Sequence, residues 1–164
     1  MTSPHQQQLR AWIAAGLWLA VIATESTNLG SSDNTSRILY PVLHFVIGLD
    51  PSRFDVWHFY IRKSGHFVGY FILSWLLFRA WKVTLPLAGR GWSIQWARIA
   101  WLMTAFVASL DEWHQTYLPS RTGALHDVVL DSLAALVAQA VIFLWFYRKD
   151  RTRRRVAPQL RDAG

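Results

Sequence analysis

Three short stretches of this 164-residue chain gather most of the side chains able to do chemistry. Lys63, His66 and Tyr70 step by three and four residues, which puts them on one face if the segment is helical. Asp111, Glu112 and Gln115 form a second group, Asp111 and Gln115 one turn apart. Arg121, Asp127 and Asp131 form the third, again with a four-residue step between the acids. The mixture suits a phosphate-bearing or otherwise anionic ligand. Lys63 and Arg121 are cationic donors, and arginine can hold two oxygens at once. His66 changes charge nearest neutrality and is the best proton carrier of the set. Asp111, Glu112, Asp127 and Asp131 would orient that imidazole, and His66, Asp111, Glu112 and Asp127 are the catalytic candidates. Lys63, Tyr70, Gln115, Arg121 and Asp131 are the substrate-binding candidates. Carboxylates this close also offer oxygen ligands to a divalent cation, although no residue pattern assigns a metal. With no cysteine in the chain, thiolate chemistry is excluded.

The elements that must carry these residues are apolar. The composition is 52% hydrophobic and 16% charged, with ten tryptophans, whereas soluble domains average about 25% charged residues. Charge-free runs occupy residues 11–24, 64–78, 99–110 and 132–147. Each is shorter than the roughly 20 residues needed to cross about 30 Å of hydrocarbon. The last three show no polar stripe at helical spacing, which argues against a soluble bundle. Stretching each run to full length gives four expected transmembrane helices, at 8–26, 60–80, 96–115 and 127–147. The first lacks a small-residue cleavage site and is expected to be retained rather than removed as a signal peptide. The expected fold class is an all-α integral membrane domain occupying the whole chain, 1–164.

Orientation follows from the cations. The amino terminus, the loop between the second and third spans, and the basic tail 148–164 hold twelve Lys and Arg against two acids. The opposite side holds five cations against eight acids. Both termini are therefore expected in the cytoplasm, and the protein in the cytoplasmic membrane. The Arg148–Arg155 run reads as a topology and anionic-lipid anchor, and no nucleic-acid partner is expected. Leu85–Trp92, with Pro86 and Gly89, reads as a cytoplasmic turn. Between spans one and two, Ser31–Asn34 and Asp50-Pro51 look like helix starts. The apolar stretch between them suits a short helix lying in the outer interface or dipping back into it.

Adjacent spans alternate in direction, so the start of span two, the end of span three and the start of span four meet at the outer end. All three chemical groups fall there. Ionisable residues below the headgroups are costly and mark function by default. Gly65 and Gly69 form a small-xxx-small pair expected to let helices approach closely beside His66, and Ala134 with Ala138 does the same on span four. Arg121, beyond Pro119, is expected to sit above the carboxylates.

The series K-x-x-H-F-x-x-Y (Lys63, His66, Phe67, Tyr70), D-E-x-x-Q (Asp111, Glu112, Gln115), P-x-R (Pro119, Arg121) and D-x-x-x-D (Asp127, Asp131) resembles the VanZ-like family, over about residues 31–147. Arg62 departs from the pattern, standing where members often have Asp, and Ala134-Ala135 stand where glycine is common. The resemblance implies a small four-span bacterial membrane protein. It also implies a link to the cell envelope and to glycopeptide resistance, since the founding member is associated with teicoplanin.

Two classes of function stay open on the residues alone. The first is an enzyme acting on an anionic lipid or lipid-linked wall precursor. A specific form of it is a phosphatase, because Ser64-Gly65-His66 and Ser120–Asp127 are similar to the signature of type-2 phosphatidic-acid phosphatases with the spacing one residue off. The second is a non-catalytic binder or accessory protein whose cluster is a polar latch that fixes helix pairing, or a pocket that holds a headgroup or drug. Membrane lipids are the expected partners in both, with a homo-oligomer as the expected assembly if transport is involved.

Overall fold

A computed structural model describes residues 3–85, 91–121 and 123–161, with side chains described as far as residue 152. Among these residues are five α-helices and no strand: α1 Pro4–Glu25, α2 Ser32–Ile47, α3 Pro51–Thr84, α4 Ile94–Gln115 and α5 Leu125–Arg161. A single 3-10 turn, Asn28–Gly30, joins α1 to α2.

Local sequence explains where the helices begin. Ser3 and Gln6 form a capping box, each side chain bonding the other's backbone N–H, at 3.2 and 3.0 Å. Ser31 accepts from the Asn34 N–H at 3.3 Å to start α2. The Asp50 carboxylate accepts from the Ser52 N–H at 2.8 Å, with Pro51 as the first residue of α3. Ser93 caps α4. The cap positions expected at Ser31–Asn34 and Asp50-Pro51 are therefore the ones used. Gly48 ends α2 in the left-handed conformation, φ 63°, which glycine adopts without steric cost.

Two helices outrun the expected spans. At 1.5 Å per residue, α1 and α4 are about 33 Å long, but α3 reaches about 51 Å and α5 about 55 Å. The sequence 148–161, expected as a basic tail, continues α5 as helix. The Pro86, Gly89 and Arg90 part of the expected turn lies outside the described residues.

The core is built from small residues that let helices close up. On α4, Ala97, Ala100, Thr104 and Ala108 are buried at three- and four-residue steps. On α5, Ala134, Ala135, Ala138 and Ile142 are buried opposite them. On α3, Leu73, Ser74, Leu77 and Phe78 fill the space between. Each stripe changes character at the same end: Ala108 is followed on its face by Asp111 and Gln115, Ala134 is preceded by Asp131, and Leu73 by Tyr70 and His66. Midway, Gln139 Nε2 donates to Ser74 Oγ at 2.7 Å and ties α5 to α3.

Opposite ends of the bundle are fixed by specific contacts. At one end Trp12 Nε1 donates to Thr84 Oγ1 at 2.9 Å, Trp96 Nε1 to the Leu85 carbonyl at 2.9 Å, and Lys82 lies 4.2 Å from the Phe146 ring. The start of α1, the end of α3 and the start of α4 thus share one end with the distal part of α5. Large apolar side chains point outward along the helices, including Leu17, Phe106, Leu133 and Leu144.

Among the described residues one helix, over Leu125–Thr152, is both long and apolar enough to cross a membrane. Helices α1, α3 and α4 have the length, but polar residues along them lower their mean hydropathy. In α3 and α4 these include Arg62, Lys63 and His66, and Asp111 and Glu112. Together with the outward apolar faces, the α5 segment points to a membrane protein.

Candidate functional site

The site occupies the other end of the bundle, where α3, α4 and α5 meet beside the end of α1. The three residues on one face of α3 each reach a carboxylate on a different turn. Lys63 Nζ pairs with Asp127 Oδ1. His66 Nδ1 stands 3.4 Å from Asp131 Oδ2. Tyr70 Oη donates to Asp111 Oδ2 at 2.7 Å. The face inferred from the 63–66–70 spacing is thus matched rung by rung, with Asp127 and Asp131 supplied by one face of α5 and Asp111 by α4. The Lys63–Asp127 pair is the most exposed rung, at 24% and 13%, whereas Asp131 is 0% and Tyr70 2% exposed.

The turn between α4 and α5 closes the site from above. Glu112 Oε2 accepts from the Ala124 N–H at 2.8 Å, so the acid also pins the start of α5. Gly123 is required there: a Cβ would stand 2.3 Å from the Glu112 carbonyl oxygen. Gln115 is buried with its Nε2 unpartnered among the described residues. Unpartnered in the same way are Asp111 Oδ1, Glu112 Oε1, Asp131 Oδ1 and Arg121 Nε. Buried polar atoms ordinarily find partners, so five such atoms in one cluster point to a site built to receive something polar.

Arg121 lies at the same polar end as Asp111, but among the described residues it makes no salt bridge to the acids. Its guanidinium donates through Nη2 to the backbone carbonyl of Glu25 and so covers the carboxyl end of α1, where a cation is favourable. Burial, followed by the charge of Arg62, pulls its pKa below the usual arginine value, with Asp111, Glu25 and Glu112 acting the other way. The group still carries its charge at neutral pH. Gly30 makes this contact possible, since a Cβ there would meet the Glu25 oxygen at 2.2 Å and Arg121 Nη2 at 2.8 Å.

A cavity of about 390 Å³ opens beside the cluster. Trp18, Ile22, Leu39 and Val68 give it apolar walls, while Arg62, His66, Tyr70, Asp111 and Arg121 form its polar end. Gly65 and Gly69 line it as well. They do not let another helix close in, as the small-xxx-small spacing suggested: a Cβ at either would meet nothing within 4 Å. Their lack of side chains instead leaves the cavity open, and Trp18 Nε1 reaches across to donate to the Gly69 carbonyl at 2.8 Å.

All nine candidate residues lie at this end, but not in one shell. His66, Tyr70, Asp111 and Arg121 face the cavity, whereas Lys63, Glu112, Gln115, Asp127 and Asp131 stand behind or beside them. Lys63 has its charge already matched by Asp127 and is not the free phosphate donor expected. Arg62, Gly30 and Trp18 enter the site without having been candidates. The phosphatase-like arrangement does not assemble: the His126 side chain is 72% exposed, its nearest charged partner being Asp127 at 3.5 Å. Ser120 Oγ is spent on Asn28 Oδ1 at 2.7 Å.

A family model described as VanZ/LLP1 matches residues 11–147, most of the chain. No curated protein and no solved structure matches it.

Proposed function

The chain belongs to the VanZ-like family, and on that footing we propose that it is a multi-pass protein of the bacterial cytoplasmic membrane that binds an anionic lipid or lipid-linked envelope precursor from the outer leaflet. In this reading α1, the middle of α3, α4 and the first part of α5 are the four membrane passes. Both termini lie in the cytoplasm, where twelve of the seventeen Lys and Arg residues then fall. Helix α2 rests in the outer interface. Its exposed Ile38, Phe45 and Val46 reach toward the acyl region while Asp33 and Arg37 stay with water.

The observation that carries the ligand class is the two-natured cavity. Its apolar walls between α1 and α3 suit an acyl or isoprenoid chain, and its polar end suits a phosphate. Arg62 and Arg121 line that end and are not ion-paired among the described residues, while His66 and Tyr70 offer hydrogen bonds. Such a ligand agrees with the founding member's association with teicoplanin resistance, because it belongs to the envelope.

The test is mass spectrometry of lipids retained by the detergent-purified protein, with added phosphatidylglycerol, phosphatidylcholine and undecaprenyl phosphate in competition. An anionic species retained by wild type and depleted at least tenfold in Arg62→Ala supports the reading. Equal retention of phosphatidylcholine and the anionic lipids would refute it. His66→Ala separates turnover from binding: an enzyme loses product formation altogether, whereas the lipid, still facing Arg62 and Arg121, is retained more weakly.

A further inference from the structure

We propose that His66, Asp111 and Glu112 bind one divalent transition-metal ion of the zinc or manganese kind. One donor atom from each lies within 4.8 Å of the others. That spacing is within side-chain adjustment of the about 2.0–2.2 Å bonds that zinc makes to nitrogen and oxygen.

The hydrogen bonding distinguishes this trio from a mere crowd of acids. Every member has one atom anchored and one left over. His66 Nδ1 is engaged by Asp131 Oδ2 at 3.4 Å, which leaves Nε2 as the ring nitrogen for an ion. Asp111 Oδ2 accepts from Tyr70 at 2.7 Å, while its Oδ1 is buried with no hydrogen-bond partner. Glu112 Oε2 accepts from the Ala124 N–H at 2.8 Å, while its Oε1 is likewise without one. Asp111 is 9% exposed and Glu112 4%, so bulk water does not solvate these oxygens. Leaving buried carboxylate oxygens bare is costly, and one cation would satisfy both.

The outer contacts match what ligating groups require. A carboxylate on the far nitrogen of a ligating histidine fixes its tautomer and orientation, and Asp131 holds that position. Lys63 is committed to Asp127 and Arg121 donates to the Glu25 carbonyl, and among the described residues no Lys or Arg is salt-bridged to Asp111 or Glu112. One imidazole and two carboxylates form a mixed donor set, which favours zinc or manganese over calcium or magnesium. Three protein donors leave coordination positions open. His66 and Asp111 also line the cavity, so an ion held here can take an oxygen of whatever occupies it. The ion site stands on its own geometry and does not depend on the lipid reading.

Chelator-treated protein in detergent, with no lipid added, is titrated calorimetrically with Zn²⁺, Mn²⁺ and Ca²⁺, and Co²⁺ serves as the absorption probe. The expected result is one ion per chain, with Zn²⁺ or Mn²⁺ at least tenfold tighter than Ca²⁺ and visible Co²⁺ bands that change in His66→Gln. Asp111→Asn and Glu112→Gln should each weaken binding a hundredfold or more. Asp131→Asn should weaken it by about 10- to 100-fold, and exposed Asp33→Asn should leave it unchanged. Helical circular dichroism verifies the fold of each variant. The proposal is overturned if wild type binds no ion, if Ca²⁺ binds as tightly, or if folded Asp111→Asn and Glu112→Gln both keep wild-type affinity. The wild-type titration and the Co²⁺ spectrum decide the matter even where a variant fails to fold.

Discussion

Gly65→Leu is the most informative substitution in this molecule, because it should raise stability and abolish binding together. A Cβ at Gly65 meets nothing within 4 Å, so the new side chain leaves the backbone into open space rather than against a neighbour. Removing glycine from a helix interior contributes about 0.5–1 kcal/mol. For a chain of this size that corresponds to a rise of roughly 2–4 °C per kcal/mol in Tm. The same side chain projects into the cavity of about 390 Å³ that Gly65 lines, and should reduce retention of the bound lipid at least tenfold, about 1.4 kcal/mol. Gly16→Leu is the matched control: Gly16 also has open space around its Cβ position, but does not line the cavity. Tryptophan fluorescence melts and native mass spectrometry read the two effects separately. A Gly65→Leu protein with a raised Tm and an undiminished lipid complement would refute the assignment of the cavity. A protein that unfolds would refute the packing from which the argument starts.

The remaining predictions probe separate links of the argument. Gly123→Ala should lower stability by about 2 kcal/mol or more, because the new Cβ would meet the Glu112 carbonyl at 2.3 Å; a thermal melt within a degree of wild type would count against the turn. Tyr70→Phe should cost about 1–3 kcal/mol by stripping the donor from buried Asp111 Oδ2, and a matching melt reads it. His58 lies buried between α2 and α3, its ring nitrogens 3.4 and 2.9 Å from the Ser32 and Thr35 hydroxyls, with Phe54 stacked on it and Arg62 and Asp55 as its charged neighbours. Burial first, and then Arg62, hold its pKa below the ordinary histidine value, with Asp55 opposing. The neutral ring is therefore the folded form. Its stabilisation is full above about pH 6.5 and drains away as pH falls through the folded value. Hydrogen exchange in α2 should accelerate on acidification in wild type but not in His58→Gln. Reporter fusions at Gly91 and Ser120 should fall in opposite compartments, and the same compartment for both would break the four-pass arrangement.

Much of the site was legible because helices have a fixed period. Steps of three and four placed Lys63, His66 and Tyr70 on one face, and Asp127 with Asp131 on another. Alternating helix direction then brought those faces to one end. What the sequence hid lies in contacts without a residue-type signature. Arg121 bonds a backbone carbonyl, which any residue could supply, so nothing at Glu25 announces the partner. Gly65 and Gly69 match a packing motif but serve to keep space open; spacing alone does not distinguish a groove that is filled from one left vacant. Gly30 and Gly123 are fixed by atoms distant in sequence, the Glu25 and Glu112 carbonyls. Helices α3 and α5 run past the spans that hydropathy marks, because hydropathy follows apolar residues, whereas a helix continues until a cap or a break ends it.

The central claim is that polar helix ends and an apolar cleft together hold one amphipathic anion. An experimental density map of the protein in nanodiscs containing phosphatidylglycerol tests it most directly. The account predicts a chain lying between α1 and α3 past Gly65 and Gly69, with its phosphate against Arg62, His66 and Arg121. A cleft closed by side chains, or lipid phosphates ordered only outside the bundle while the cluster holds solvent, would contradict it.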